Sequence, residues 1–427
     1  MKYCVRCYYP ANHPLGITFD EQGICSGCRV HEEKDSLDWD LRLGKLQKIA
    51  DAYRNKTRTI HDCIIPVSGA RDSHFIVHFV KNVLRLNPLV VSYNRQYNTP
   101  VGIRQLSYLR TYLGCDAMAM TVSPERAKRI TRETLKHLGS MYWHILAGHS
   151  VFPVQVAVRF KIPLIIWGAH QGLDQVGMYS HLDEVEMTRR YRKDHDVMGL
   201  EAEDLVARSK NISIADVEQF IYPHDKELEQ IGVRGIYLGN YIRWDSKAQH
   251  EQMIKAYQYE TAPQQRTFDT YNDVDCFHYS GVHDEIKFRK WGFGKVTDHA
   301  SRELRLKRLT REEGAALIER FGNVTPSDTP LLLSWLGMSA DEFWGLIDEH
   351  RDPAIWRRAP SGAWELKDHV TNHIHGPGVD AARLTRREPC EFILTGPRDP
   401  RLAKNEYTLV GRGWVDGTSG QPPINPP

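Results

Sequence analysis

Apolar positions along the chain switch between two periods, and the switch points are informative. Residues 63–67, CIIPV, form a short run of strand-forming side chains, followed by a turn-like Ser68-Gly69-Ala70. From Asp72 onward Phe75, Ile76, Phe79, Val80, Val83 and Leu84 recur at helical spacing on one face. NPLVVSYN predicts a second buried strand, entered through Pro88 and ending near Tyr93-Asn94. KIPLIIWGAH predicts a third, Leu164–Trp167, which stops at Gly168. Between these two, VSPERAKRITRETLKHLG predicts a helix with Ser123 as N-cap, Pro124 at its first position and Gly139 at its end. Ahead of the first strand, DWDLRLGKLQKIADAYR places Leu43, Leu46, Ala50 and Tyr53 on one helical stripe. Strands and helices alternating at these intervals predict an α/β fold with a doubly wound parallel sheet. Such sheets bind ligands beyond the carboxyl ends of their strands, which puts the Ser68 loop, Tyr93-Asn94 and residues 168–174 on one rim.

Beyond residue 200 the pattern turns helical and polar, without an internal repeat. Residues 269–314, from DTYNDVDCFHYS to KRLTREEG, mix His, Asp, Lys and Arg with aromatics, as the wall of a polar pocket does. Thr310 with Glu313, and Ser339 with Glu342, have the spacing of capping boxes that open two late helices. Residues 327–350 supply a helical apolar cluster to close the core, and from Gly376 a Pro-, Gly- and Arg-rich composition predicts an irregular tail.

Composition narrows the function. A net charge of +2 and a pI near 8.1 give no mandate for nucleic acid or membrane binding. Arg302, Arg305, Lys307 and Arg308 taken alone read as a solvated helix face. No apolar run approaches the ~20 residues that span a bilayer, and MKYCVRCYYP has no signal-peptide core. The expectation is a cytoplasmic protein. Of eight cysteines, Cys4, Cys7, Cys25 and Cys28 form two C-x2-C knuckles seventeen residues apart, while Cys63, Cys115, Cys276 and Cys390 are isolated. In a reducing compartment the paired knuckles read as a tetrahedral zinc site; a redox pair or unrelated thiols is the other reading. Four thiolates leave no open position on zinc, so its role would be structural.

The Ser68 loop lacks the G-x-G-x-x-G of a dinucleotide fold and the GK[ST] of a Walker A loop. As a plain turn it needs only Asp72 or Ser73 as N-cap. Its S-G-x-x-D-S pattern resembles the PP-loop of ATP pyrophosphatases, which include asparagine, GMP and tRNA-thiolating synthetases and usually read S-G-G-x-D-S. That resemblance implies that Ser68, Gly69, Ala70, Arg71 and Ser73 hold pyrophosphate and that Asp72 holds magnesium. Ala70 replaces the second glycine, which is harmless at negative φ and costly at positive φ.

Longer strings carry a second resemblance: the ribbon ending GITFDEQGICSGC, then IPLIIWGAHQGLDQVGM, GVRGIYLGNYIRWD and KVTDHASRELRLKRLTREEG. Together they are similar to the N-acetyl sugar amidotransferases of lipopolysaccharide O-antigen and flagellin sugar pathways. The resemblance implies a PP-loop (HUP-like) α/β domain with an N-terminal zinc ribbon and a C-terminal helical region. The expected organisation is a ribbon over 1–35, the ATP-binding domain over 36–200 and a substrate and pyrophosphate region completing it over 201–310. C-terminal helices over 311–370 and an irregular tail over 371–427 follow.

The implied activity is conversion of a sugar acetamido group to acetamidino with ATP and ammonia, on a nucleotide-activated N-acetyl sugar. Ammonia would come from a separate glutaminase resembling the histidine-pathway enzyme, with a cyclase-like barrel protein beside it. A glutaminase with an N-terminal cysteine needs it directly after Met1, where this chain has Lys2. By the same resemblance Gly168 and Tyr93 line the nucleotide, Asp174 gives a second magnesium or substrate contact, and Lys295 and Arg302 stabilise leaving pyrophosphate. Asp298 is an alternative N-cap, His170 a structural or catalytic histidine, and Asn240, Arg243, Asp245 and His299 candidate sugar contacts. The competing functions are a PP-loop thiotransferase, which wants an exposed low-pKa cysteine near the loop, and a catalytically weakened scaffold of a glutaminase complex.

Overall fold

The computed structural model describes residues 1–375 and two short strands, Tyr407–Leu409 and Gly413–Val415, which pair antiparallel. Most of the tail expected over 371–427 lies outside the described residues.

Five strands build the central sheet: β1 (Cys63–Pro66), β2 (Pro88–Tyr93), β3 (Asp116–Met120), β4 (Leu164–Trp167) and β5 (Arg234–Tyr237). All pair in parallel, in the order β3-β2-β1-β4-β5. In register, Ile64 stands opposite Leu89 on one side and Ile165 on the other. Strand alternation sends Ile64, Leu89, Val91 and Ile165 to one face, under helix Trp143–Phe160. Cys63, Ile65, Val90, Leu164, Ile166 and Ile236 fill the other, under helices Trp39–Tyr53, Ser73–His78, Pro100–Thr111 and Ser246–Tyr257. Helices thus cover both faces, which is why the central strands read as unbroken apolar runs.

Two strands were not foreseen. β3 is DAMAM, a partly exposed edge strand without a β-branched residue. β5 is RGIY, inside the region that reads as helical and polar. Its Arg234 is 5 % exposed and is neutralised by Glu186 at 2.7 Å, so a charged residue occupies a buried strand.

Local signals held where a helix end carries its own partners. Ser123 Oγ accepts from Arg126 N–H at 3.3 Å, and Gly139 closes that helix at φ 55°. Thr310 and Glu313 form both halves of a capping box. The late helices Thr329–Leu336 and Ala340–Asp348 join a separate apolar cluster with helix Pro124–Leu138. At the N-terminus the four cysteines pack with Tyr9, Ile17, Ile24 and Phe293. Among the described residues, no helix is long and apolar enough to cross a membrane.

Candidate functional site

The Ser68 loop leaves β1 at its carboxyl end with an alternating backbone. Gly69 (φ 92°) and Arg71 (φ 50°) are left-handed, and Ala70 between them is not. Alternation of this kind turns successive amides toward one concavity, an arrangement that receives anions. Ser68 Oγ accepts from Ala70 N–H at 3.2 Å, and Ser73 Oγ accepts from Ser68 N–H at 3.1 Å. The amides of Gly69, Arg71 and Asp72 meet no acceptor among the described residues. Gly69 is constrained twice, because a methyl there would also stand 2.6 Å from Leu106 Cγ and 2.8 Å from the Gly102 carbonyl oxygen.

Asp72 occupies the N-cap position of the following helix, yet its carboxylate makes no capping bond. Its Oδ1 is buried without a partner. Burial pushes the carboxyl pKa up; His250 and Arg71 oppose this, while Asp273 and Asp174 add to it. Asp174, at the end of the turn after β4, pairs through Oδ1 with Lys34 Nζ at 2.6 Å and leaves Oδ2 unpartnered. Asp72 stands beside Gly168 and Asp174 beside Gly239. A methyl on Gly168 would lie 3.4 Å from Asp72 Oδ2, and one on Gly239 3.6 Å from Asp174 Oδ2 and 3.9 Å from Gly168 O. Two carboxylates with free oxygens beside open amides suit magnesium bound jointly with phosphate.

A basic wall faces the loop, organised by a residue that the sequence did not single out. Asp273, buried and itself at φ 56°, takes Arg71 Nε on Oδ1 at 3.0 Å and Lys295 Nζ on Oδ2 at 2.8 Å. Burial works against the charged form, yet Arg71 and Lys295 hold this carboxyl well below the usual range. Lys295 Nζ also stands 3.3 Å above the Tyr279 ring centre. Next to it Arg95 Nη1 is 2.6 Å from Asp275 Oδ2 and its Nε donates to His149 Nε2 at 3.2 Å. The sequence signal for these partners was the acidic spacing within DTYNDVDC, set among aromatics.

Other candidates are placed elsewhere. Tyr93 is core: 3 % exposed, with its hydroxyl 3.0 Å from His144 Nδ1. The space over Gly168 is occupied by Ile76 and Trp244, whose atoms lie 3.0 and 3.1 Å from where a methyl would be, so packing explains this glycine. Arg302 braces the 269–273 segment through Asp269 Oδ2 at 2.8 Å and Tyr271 Oη at 3.0 Å. Asp298 is not an N-cap; helix Lys295–Arg305 starts after Gly294, and Asp298 pairs with Lys287. Asn240 holds the Val185 carbonyl at 2.8 Å, and Arg243 holds Lys34 O and Asp35. Asp245 caps helix Ser246–Tyr257 and pairs with Arg308, while His299 Nδ1 is 2.6 Å from Thr267 Oγ1. Asn240, Arg243 and Asp245 hold the fold together rather than gather at the loop, whereas His299 lies within electrostatic reach of Lys295 and Asp273 in the facing wall. His170 is buried with neither ring nitrogen partnered, and burial holds its pKa down to about 3, so the ring is neutral.

The cysteine sulfurs of residues 4, 7, 25 and 28 all lie within 4.8 Å of one another. Cys4 and Cys28 Sγ are 3.9 Å apart, and Cys7 and Cys25 Sγ 3.6 Å. Tetrahedral zinc with ~2.3 Å bonds needs sulfurs roughly 3.8 Å apart, so the cluster is sized for that ion. Cys63 and Cys115 are buried, and burial raises both thiols. Neither suits a sulfur carrier.

Residues 265–370 match the family model of the C-terminal domain of WbpG-like lipopolysaccharide biosynthesis proteins. No curated protein matches the chain. The matched segment contains Asp273, Tyr279, Lys295 and Arg302, and it points to lipopolysaccharide biosynthesis.

Proposed function

We propose that the protein is an ATP-dependent, AMP-forming amidotransferase of lipopolysaccharide sugar biosynthesis, converting an acetamido group of a nucleotide-activated sugar to acetamidino. The observation that carries this reading is the Ser68–Ser73 loop, with its open amides, the unpartnered Asp72 carboxylate oxygen beside Gly168 and the unpartnered Asp174 oxygen beside Gly239. The WbpG-like match over the facing wall supports it.

An amide carbonyl is a poor electrophile. Its oxygen attacks the α-phosphorus of ATP, an O–P bond forms, and pyrophosphate leaves. Ammonia then adds to the activated carbon and gives up a proton. The C–O bond breaks, and AMP departs with the former amide oxygen. No protein nucleophile is needed, so the chain contributes position and charge. The amides of Gly69, Arg71 and Asp72 cradle the phosphates. Arg71 and Lys295 share one carboxylate, which leaves a net positive charge beside the departing pyrophosphate. Asp72 and Asp174 would hold magnesium, which would offset phosphate charge. Ammonia supply is assigned to a partner glutaminase with its barrel protein.

With the acetamido oxygen labelled as oxygen-18, the label should appear in AMP, read by mass spectrometry of the nucleotide. Unlabelled AMP, or release of ADP, rules out the route. Asp72→Asn should reduce AMP formation by at least a hundredfold while leaving the metal content of the cysteine cluster unchanged.

A further inference from the structure

Arg305, read from sequence as part of a solvated face, is 5 % exposed. It ends helix Lys295–Arg305, and its guanidinium serves two regions at once. On one side Nε donates to Cys28 Sγ at 3.4 Å, and Nη2 to Cys25 Sγ at 3.5 Å and Cys7 Sγ at 3.7 Å. On the other side Nη1 donates to the carbonyls of Asp174 at 3.1 Å and Gln175 at 2.8 Å. The remaining cysteine, Cys4, takes backbone N–H donors from Arg6 and Cys7 at 3.4 Å and from Cys25 at 3.3 Å. Every sulfur therefore has a donor, and three of the four share one side chain.

A divalent ion with four thiolates carries two negative charges, and these cysteines are at most 1 % exposed. Burying that charge demands a cation with fixed geometry, and a planar fork of five N–H groups provides it. The fit is close: a methyl on Gly27 would stand 2.4 Å from Arg305 Nη2 and 2.5 Å from Gln175 O. Two further ties join ribbon and rim, Ser26 Oγ donating to Val176 O and Lys34 Nζ pairing with Asp174 Oδ1. The ribbon thus grips the segment that carries the Asp174 carboxylate.

We infer that Arg305 is a positioning residue that couples metal in the four-cysteine cluster to the placement of the Asp174 rim. The bound tetrathiolate fixes the guanidinium, and the guanidinium fixes the 174–175 backbone. This rests on the rim proposed above, but its readouts are amide exchange and metal chemistry, so failure of the amidation reaction would not be mistaken for its failure.

Full-length protein loaded with zinc and the same protein stripped by a chelator are compared by hydrogen exchange. Stripping should lower protection at least tenfold in residues 172–178 as well as in the ribbon, with β1 unaffected. Loss confined to residues 4–34, or spread through the whole sheet, overturns the coupling. This comparison needs no variant, so it decides even where Arg305→Met fails to fold. In a folded Arg305→Met, loaded with cobalt(II), the thiolate-to-metal absorption bands should shift and extraction by a chelator should be 10–100-fold faster. Arg305→Lys should restore part of both. Bands and extraction unchanged from wild type overturn the inference, whatever happens to thermal stability.

Discussion

The strained position in the Ser68 loop is not the one the sequence pattern marks. Ala70, where a second glycine is usual, avoids the left-handed region, so its methyl imposes no backbone penalty there. Strain falls instead on Gly69 and Arg71, and only the second of these bears a side chain. Arg71 holds its conformation while its guanidinium is tied to Asp273. Gly69→Ala should therefore be severe: a φ of 92° and a 2.6 Å approach to Leu106 Cγ leave no room for relaxation. We expect a loss of about 2 kcal/mol or more, read by urea denaturation, together with loss of ATP binding by calorimetry. A variant as stable as wild type would mean that the loop backbone is not held as described.

At the scale of elements, capped helix ends announced themselves most clearly. A cap is a local event, fixed by residues three positions apart, so Ser123, Gly139 and the Thr310–Glu313 box were legible before any tertiary contact was known. Thr310→Ala removes one side of that box at an exposed helix start. It should lower stability by about 1 kcal/mol without changing AMP formation or metal content; a drop in activity at unchanged stability would argue against a purely local cap. The strands β3 and β5 escaped notice because their evidence is not local. DAMAM becomes a strand by pairing at the edge with β2, and RGIY by burying Arg234 against Glu186, forty-eight residues away.

At the scale of the whole molecule, buried histidines should dominate the response to acid. Burial holds His74 down to about 4 and His144, His170 and His299 to about 3. Each folded pKa lies below the ordinary value near 6.5, so the folded chain binds fewer protons than the unfolded chain. Stability is complete above pH ~6.5 and falls as the pH drops toward 4. One unit below 6.5 each such ring costs on the order of 1 kcal/mol, offset in part by Asp196, whose carboxyl is pushed up to about 7 by burial, so that it favours the folded chain over the same range. Denaturation midpoints at pH 7.5 and 5.5 should differ sharply. Equal midpoints would mean that these rings are not buried and neutral.

What depends on short spacing or on local composition could be read along the chain. Those features are the helical caps, the buried central strands β1, β2 and β4, the two cysteine knuckles, and the order of small and polar residues at the Ser68 turn. Composition also located the polar wall within residues 269–314 without saying which of its charges face one another. Folding alone brings Asp273 between Arg71 and Lys295, pairs Arg302 with Asp269, and sets Arg305 between the cysteines and the 174–175 backbone. The reason is physical. A buried ion pair is stable only when the right partner arrives with the right geometry, and those partners come from segments as much as two hundred residues or more apart, a separation that no local pattern records.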